Sequence, residues 1–143
     1  FRRAMKKSIQ TAMKFGANVA IDSAEHIKEL TKGEGVDLAL DTTGVPAARL
    51  AAVRCAKTWG TVCFVGEGGE VTLDVSRDML RKQLTLIGSW TFSAMGMGEC
   101  ARFIADNRIP LEKIFTHRWK LDQVQEAYRE FDAQSSGKGV IEF

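Results

Sequence analysis

Apolar residues recur at helical spacing near the start of the chain, at Met5, Ile9, Ala12 and Met13, and Gly16 follows where a left-handed cap ends a helix spanning Arg3 to Phe15. Asn18 to Ile21 is a brief apolar run that reads as a strand. Ser23 can then cap a short helix built on Ile27 and Leu30, with Glu25 near its positive end and Gly33 and Gly35 closing it. Val36 to Asp41 reads as a strand. Pro46 suits the first turn of the next helix, and Ala47 to Ala56 is apolar nearly all round except at Arg49 and Arg54, the pattern of a helix laid on a sheet. Thr61 to Val65, Val71 to Leu73 and Leu84 to Ile87 are further strand patterns.

Beyond Trp90 the pattern changes. Thr91 to Gly98 is rich in small residues and reads as a loop, and a helix from about Glu99 to Asn107 is expected to bury Ala101, Phe103 and Ile104. Pro110 ends it, and Phe115 to Trp119 is a strand. Asp122 with Gln125 forms a capping-box pattern before Val124, Ala127, Tyr128 and Phe131, which stand at i, i+3, i+4 and i+7. Ser135, Ser136 and Gly137 read as a loop and Gly139 to Phe143 as a terminal strand. No internal repeat is present.

Strands alternating with helices imply parallel crossovers, an α/β class, and a ligand crevice beyond the carboxyl ends of the strands. Asp41, Thr42, Thr43 and Gly44 would stand at one such end, where small hydroxyl residues and glycine admit a flat ring or ribose; the same residues also serve as a plain strand stop and helix start. Val65, Gly66, Glu67, Gly68 and Gly69 would stand at the next, where glycine lets backbone approach a ligand.

Composition narrows the classes. With 143 residues, one domain with a single core accounts for the chain, and its apolar and charged fractions of 45% and 27% are globular values. No apolar run approaches a membrane span, and 20 basic against 18 acidic side chains leave no broad field for nucleic acid or anionic lipid. Three cysteines, Cys55, Cys63 and Cys100, include no C-x-x-C pair and read as buried thiols of a cytoplasmic protein.

Gly66 to Gly69 is no dinucleotide fingerprint, because the third glycine of G-x-G-x-x-G would fall at Val71. Gly96, Gly98 and Ala101 match the spacing better, but Thr91 to Met95 separates them from any strand, which marks a chance match. His26 and His117 lie in no ligand pattern, so a metal site has little support. Lys138, between Gly137 and Gly139, is an isolated cation in a close-approach loop; it suits a phosphate and equally well suits solvent.

Taken in order, VDLALDTTG, the helix after it, WGTVCFVGEGG, QLTLIGSW, FTHRWKLDQVQEAYREFD and SSGKGVIEF resemble the cofactor-binding domain of zinc-type, medium-chain alcohol and polyol dehydrogenases. The resemblance runs from about Ala12 to Phe143, about nine tenths of the chain. It implies a Rossmann-like open parallel sheet with flanking helices, incomplete at its N-terminal side, so that residues 1–143 are a partial dinucleotide-binding domain. It also implies that Thr42, Thr43 and Gly44 border the adenosine or ribose side of NAD or NADP. Val65 and Gly66 with Ile87 and Ser89 would line the nicotinamide end, and Lys138 would meet the pyrophosphate. Zinc would be held in the catalytic domain only, which these residues lack, and the run from Val71 through Leu84 resembles an edge that joins two subunits in a homodimer.

Relative to that family the chain begins after the first strand, its glycine-rich loop and the second strand, whose ribose-binding acid would coincide with Arg3. In the Rossmann strand order the missing strands lie between Asn18 to Ile21 and Val36 to Asp41, a gap of about 14 Å at a strand spacing of roughly 4.8 Å. The expectation is a fragment of a full-length dehydrogenase acting on a small-molecule alcohol or polyol, inactive in isolation, with Trp90 a contributor to the substrate pocket. The alternative is a non-catalytic remnant that serves as a structural or dimerisation module.

Overall fold

The computed structural model describes residues 9–21, 24–133 and 137–143. Its elements are α1 (Glu25–Leu30), β1 (Val36–Asp41), α2 (Pro46–Cys55), β2 (Ala56–Phe64), β3 (Thr85–Gly88), α3 (Ala94–Asp106), β4 (Phe115–Lys120), α4 (Val124–Asp132) and β5 (Lys138–Glu142). Residues 9–14 are also helical and Phe15 begins the turn after them; residues 3–8 of the first expected helix, Ser23 as a cap, and Ser135 and Ser136 lie outside the described residues. The chain forms two compact units, Phe1–Thr91 and Phe92–Phe143, each with its own sheet.

In the first unit β1, β2 and β3 lie side by side in that order, all parallel. Pro46 occupies the start of α2, where its missing N–H costs nothing. The helix lays Val53 on the sheet, and Val53, Ala56 and Val62 make a closed cluster flanked by Ala39, Phe64, Leu73, Leu84 and Leu86. Side chains alternate across a strand, so Leu38 and Leu40 point away from this cluster, and they are 73% and 63% exposed. One face of the sheet is therefore covered and the other open.

The carboxyl end of α2 is closed by a residue distant in sequence. Lys82 Nζ donates to the carbonyls of Val53, Arg54 and Ala56 at 3.1, 2.8 and 2.7 Å, satisfying acceptors that a helix end leaves without partners. Burial pulls the Lys82 ammonium below its ordinary pKa. In the same stretch, Asp78 is buried and accepts from Asp74 N and Arg77 Nε, with Arg54 Nε at 3.7 Å. The Arg77 hydrogen bond leads the effects that hold its carboxyl below the usual range against the cost of burial.

Several sequence expectations change. Among the described residues Asn18 to Ile21 pairs with no strand; its residues are exposed, where water can satisfy the backbone groups that a ladder would have taken. Val71 to Leu73 likewise joins no ladder, although Leu73 packs on the core. Between β2 and β3 the chain makes a π turn (Val75–Met79) and a 3-10 turn (Leu80–Lys82), so strands and α-helices do not alternate throughout. β2 begins at Ala56, five residues early, with an irregularity in its register against β1 between Val36 and Leu38.

In the second unit β4 and β5 pair in parallel. α3 starts at Ala94, inside the expected loop, because Ser93 Oγ accepts from Gly96 N at 3.0 Å and caps a run whose Ala and Met residues offset two glycines. It buries none of its residues: Ala101 and Phe103 are exposed and Ile104 is half-buried. The reach-back before α4 is made by Gln123, whose Oε1 accepts from Lys120 N at 3.0 Å, and not by Gln125 to Asp122. Of the apolar stripe on α4 only Ala127 is buried. Cys55 alone among the cysteines is fully buried; Cys63 is half-buried and Cys100 is exposed at a helix surface.

Candidate functional site

Parallel pairing carries the ends of β1, β2 and β3 to one edge of their sheet, with Asp41 opposite Phe64 and Phe64 opposite Gly88. The chain then leaves β1 through Thr42, Thr43 and Gly44, β2 through Val65 and Gly66, and β3 through Gly88 and Ser89. The first two of these loops interlock. A Cβ added at Gly66 would strike Gly44 N and Thr43 N, and one at Gly44, whose φ is +70°, would strike Glu67 O. Ser89 N donates to Phe64 O at 3.0 Å and ties the third loop to the second.

Thr42, Thr43, Val65, Ile87 and Ser89 are exposed along this edge, while Gly44 is buried beneath them. Thus seven of the eight residues selected from sequence share one edge of the first unit's sheet, and the eighth lies in the second unit. Lys138 opens β5 in the second unit, exposed, its carbonyl accepting from Thr116 Oγ1 at 3.2 Å.

Two rim residues were not selected from sequence. Asp41, 3% exposed, accepts from Thr43 Oγ1 at 2.7 Å and from Thr43 N and Gly44 N at 3.1 Å each. Burial pushes its carboxyl upward, but the Thr43 hydroxyl, the two amides and the Arg49 charge together hold it below the ordinary value. Its backbone carbonyl accepts from Val65 N and Gly66 N at 2.8 and 3.1 Å. Arg49, in the first turn of α2, donates to Gly66 O at 2.6 Å and Gly69 O at 2.8 Å, with Nε 3.5 Å from Asp41 Oδ2. A signal for Arg49 was present: a cation near a helix N-terminus opposes the dipole and needs a local partner.

These contacts decide what the rim can hold. The amides of Thr43, Gly44, Val45, Val65 and Gly66 are all spent within the protein, Val45 N on Thr43 Oγ1 at 3.1 Å. These five amides are therefore not free to cradle a phosphate. The edge offers small, exposed side chains and the Thr42 and Ser89 hydroxyls, which fit a flat ring and a ribose. Among the described residues no three His, Cys, Asp or Glu side chains gather as a metal site. No helix among them is long and apolar enough to cross a membrane.

An open parallel α/β sheet with its small-residue loops gathered at the strand carboxyl ends defines a Rossmann-like protein. The profile of the family described as "Zinc-binding dehydrogenase" matches residues 4–106, and the chain belongs to that family. It is 40% identical over 117 residues to the uncharacterized zinc-type alcohol dehydrogenase-like protein YphC of Escherichia coli, covering 82% of this chain and 33% of that protein. It is 25% identical over 114 residues to sorbitol dehydrogenase 1 of Saccharomyces cerevisiae, covering 80% and 32%. An alcohol dehydrogenase from Thermotoga maritima shares the fold with a TM-score of 0.84 at 22% identity, over 94% of this chain and 40% of that one. The chain thus spans about a third of the length of these curated relatives.

Proposed function

We propose that residues 1–143 form part of the dinucleotide-binding domain of an NAD(P)-dependent, zinc-type dehydrogenase that interconverts an alcohol or polyol and its carbonyl compound. The observation that carries this reading is the shared rim of Thr42, Thr43, Gly44, Val65, Gly66, Ile87 and Ser89. Its small exposed side chains suit the adenosine or ribose side at Thr42 to Gly44 and the nicotinamide end at Val65, Gly66, Ile87 and Ser89. Lys138 is proposed for the pyrophosphate on the family resemblance alone. The nicotinamide would supply hydride acceptance and donation when bound, and zinc, polarising the substrate oxygen, would be held by residues outside this set. The work of these residues is to bind and orient the ring. A cytoplasmic homodimer, joined along Val71 to Leu84, completes the proposal.

One observation favours a second reading. Every rim amide from Thr43 to Val45, and those of Val65 and Gly66, is already bonded within the protein. A chain of this kind that binds no dinucleotide would serve as a structural or dimerisation module. Titration of the purified chain with NADH and with NADPH separates the two: enhanced nicotinamide fluorescence at micromolar cofactor supports the binding domain, and none at millimolar cofactor supports the module.

A further inference from the structure

We infer that Asp41 and Arg49 are positioning residues that lock the two glycine loops into one rigid rim, an assignment that rests on the cofactor reading above. Thr43, Gly44, Val65 and Gly66, four of the residues proposed to border the cofactor, all hydrogen-bond to Asp41. The first two donate to its carboxylate and the last two to its backbone carbonyl. Asp41 is 3% exposed and both of its carboxylate oxygens are engaged by the loop, so the carboxylate faces the protein and not a ligand. Its charge serves the loops.

Arg49 carries the lock across to the second loop. Its two terminal nitrogens hold the carbonyls of Gly66 and Gly69, and its guanidinium lies 5.7 Å from the centre of the Phe64 ring. The side chain is 13% exposed, and its buried Nε has no hydrogen-bond partner beyond the 3.5 Å approach of Asp41 Oδ2. A guanidinium enclosed in this way must be matched by fixed acceptors, and all of those present belong to Asp41 or to the loop after β2. Since Gly66 leaves no room for a Cβ against Thr43 and Gly44, movement of either loop displaces the other. With the amides of Thr43, Gly44, Val45, Val65 and Gly66 spent, these two loops hold a ligand through shape, and shape requires that both keep their places.

The test joins amide hydrogen exchange with cofactor titration on the 143-residue chain carrying Asp41→Asn, Arg49→Gln or Arg49→Lys. Exchange at Thr43 and Gly44 should quicken in D41N and exchange at Gly66 in R49Q, with protection at Val53 and Val62 kept. The Kd for NADH should rise about tenfold, the equivalent of one or two lost hydrogen bonds, with R49K intermediate. Unchanged exchange at all three amides in the variants that fold overturns the lock. Quickened exchange with an unaltered Kd overturns the positioning role. If the unsubstituted chain binds neither NADH nor NADPH, the cofactor reading fails, and the exchange measurements judge the lock by themselves. Should D41N not fold, R49Q and R49K decide the outcome.

Discussion

The two units use the same parts to different effect. Each pairs parallel strands and carries a helix against them, and α4 is the more clearly amphipathic of the two helices, with apolar residues at 124, 127, 128 and 131. Yet the closed cluster of Val53, Ala56 and Val62 is built on α2 and β2, whereas α4 buries only Ala127 and leaves Tyr128 68% exposed. Periodicity names the face a helix would bury. It does not supply the surface that buries it. In the first unit a three-stranded sheet provides that surface, and the carbonyls at the carboxyl end of α2 are closed by Lys82.

The contrast can be broken most severely at the cluster itself. Val62→Asp places a carboxylate among Val53 and Ala56, where desolvation costs several kcal/mol, and it should abolish the cooperative unfolding transition of the first unit in circular dichroism. Next in size, Lys82→Met removes the donor from three carbonyls at the end of α2 and should lower stability by about 2 kcal/mol, read from urea unfolding.

Acid should act on the rim through Asp41. Its folded pKa lies below the ordinary 3.8, so the folded state holds the carboxylate in preference to the acid. The stability it contributes is present above about pH 3.8 and is lost as pH falls through the lower folded value. Comparing the thermal midpoints of wild type and Asp41→Asn across this range checks the sign, since the variant should lack that share of the decline. The smallest effect is expected at α4: Tyr128→Ser should shift stability by less than about 0.5 kcal/mol, and a larger loss would mean that this helix face is covered in solution.

How much of this was legible in the sequence followed from range. Val36 to Asp41 is bounded by glycines and polar residues, and Pro46 marks the next helix, so β1 and α2 were readable to within a residue. The strands at Asn18 to Ile21 and Val71 to Leu73 were misread because an apolar run specifies a strand only when a neighbour completes its ladder. The start of α3 was missed because glycine content outweighed Ser93, a capping residue in plain view. At the site, the rim loops were found through their small residues, while the residues that hold them were passed over. Asp41 looked like the last residue of a strand and Arg49 like a break in an apolar helix. Their roles depend on partners up to 25 positions away, which no local pattern encodes. Lys82 is more remote still, acting on carbonyls 26 to 29 positions back.

The central claim is that three successive loop ends act as one binding edge. Backbone amide chemical shifts of the labelled chain during titration with NADH test it most directly. The account predicts that Thr42 to Gly44, Val65 to Gly66 and Ile87 to Ser89 shift together along a single binding curve. Saturable shifts confined to other parts of the first unit, with these three segments silent, would contradict it.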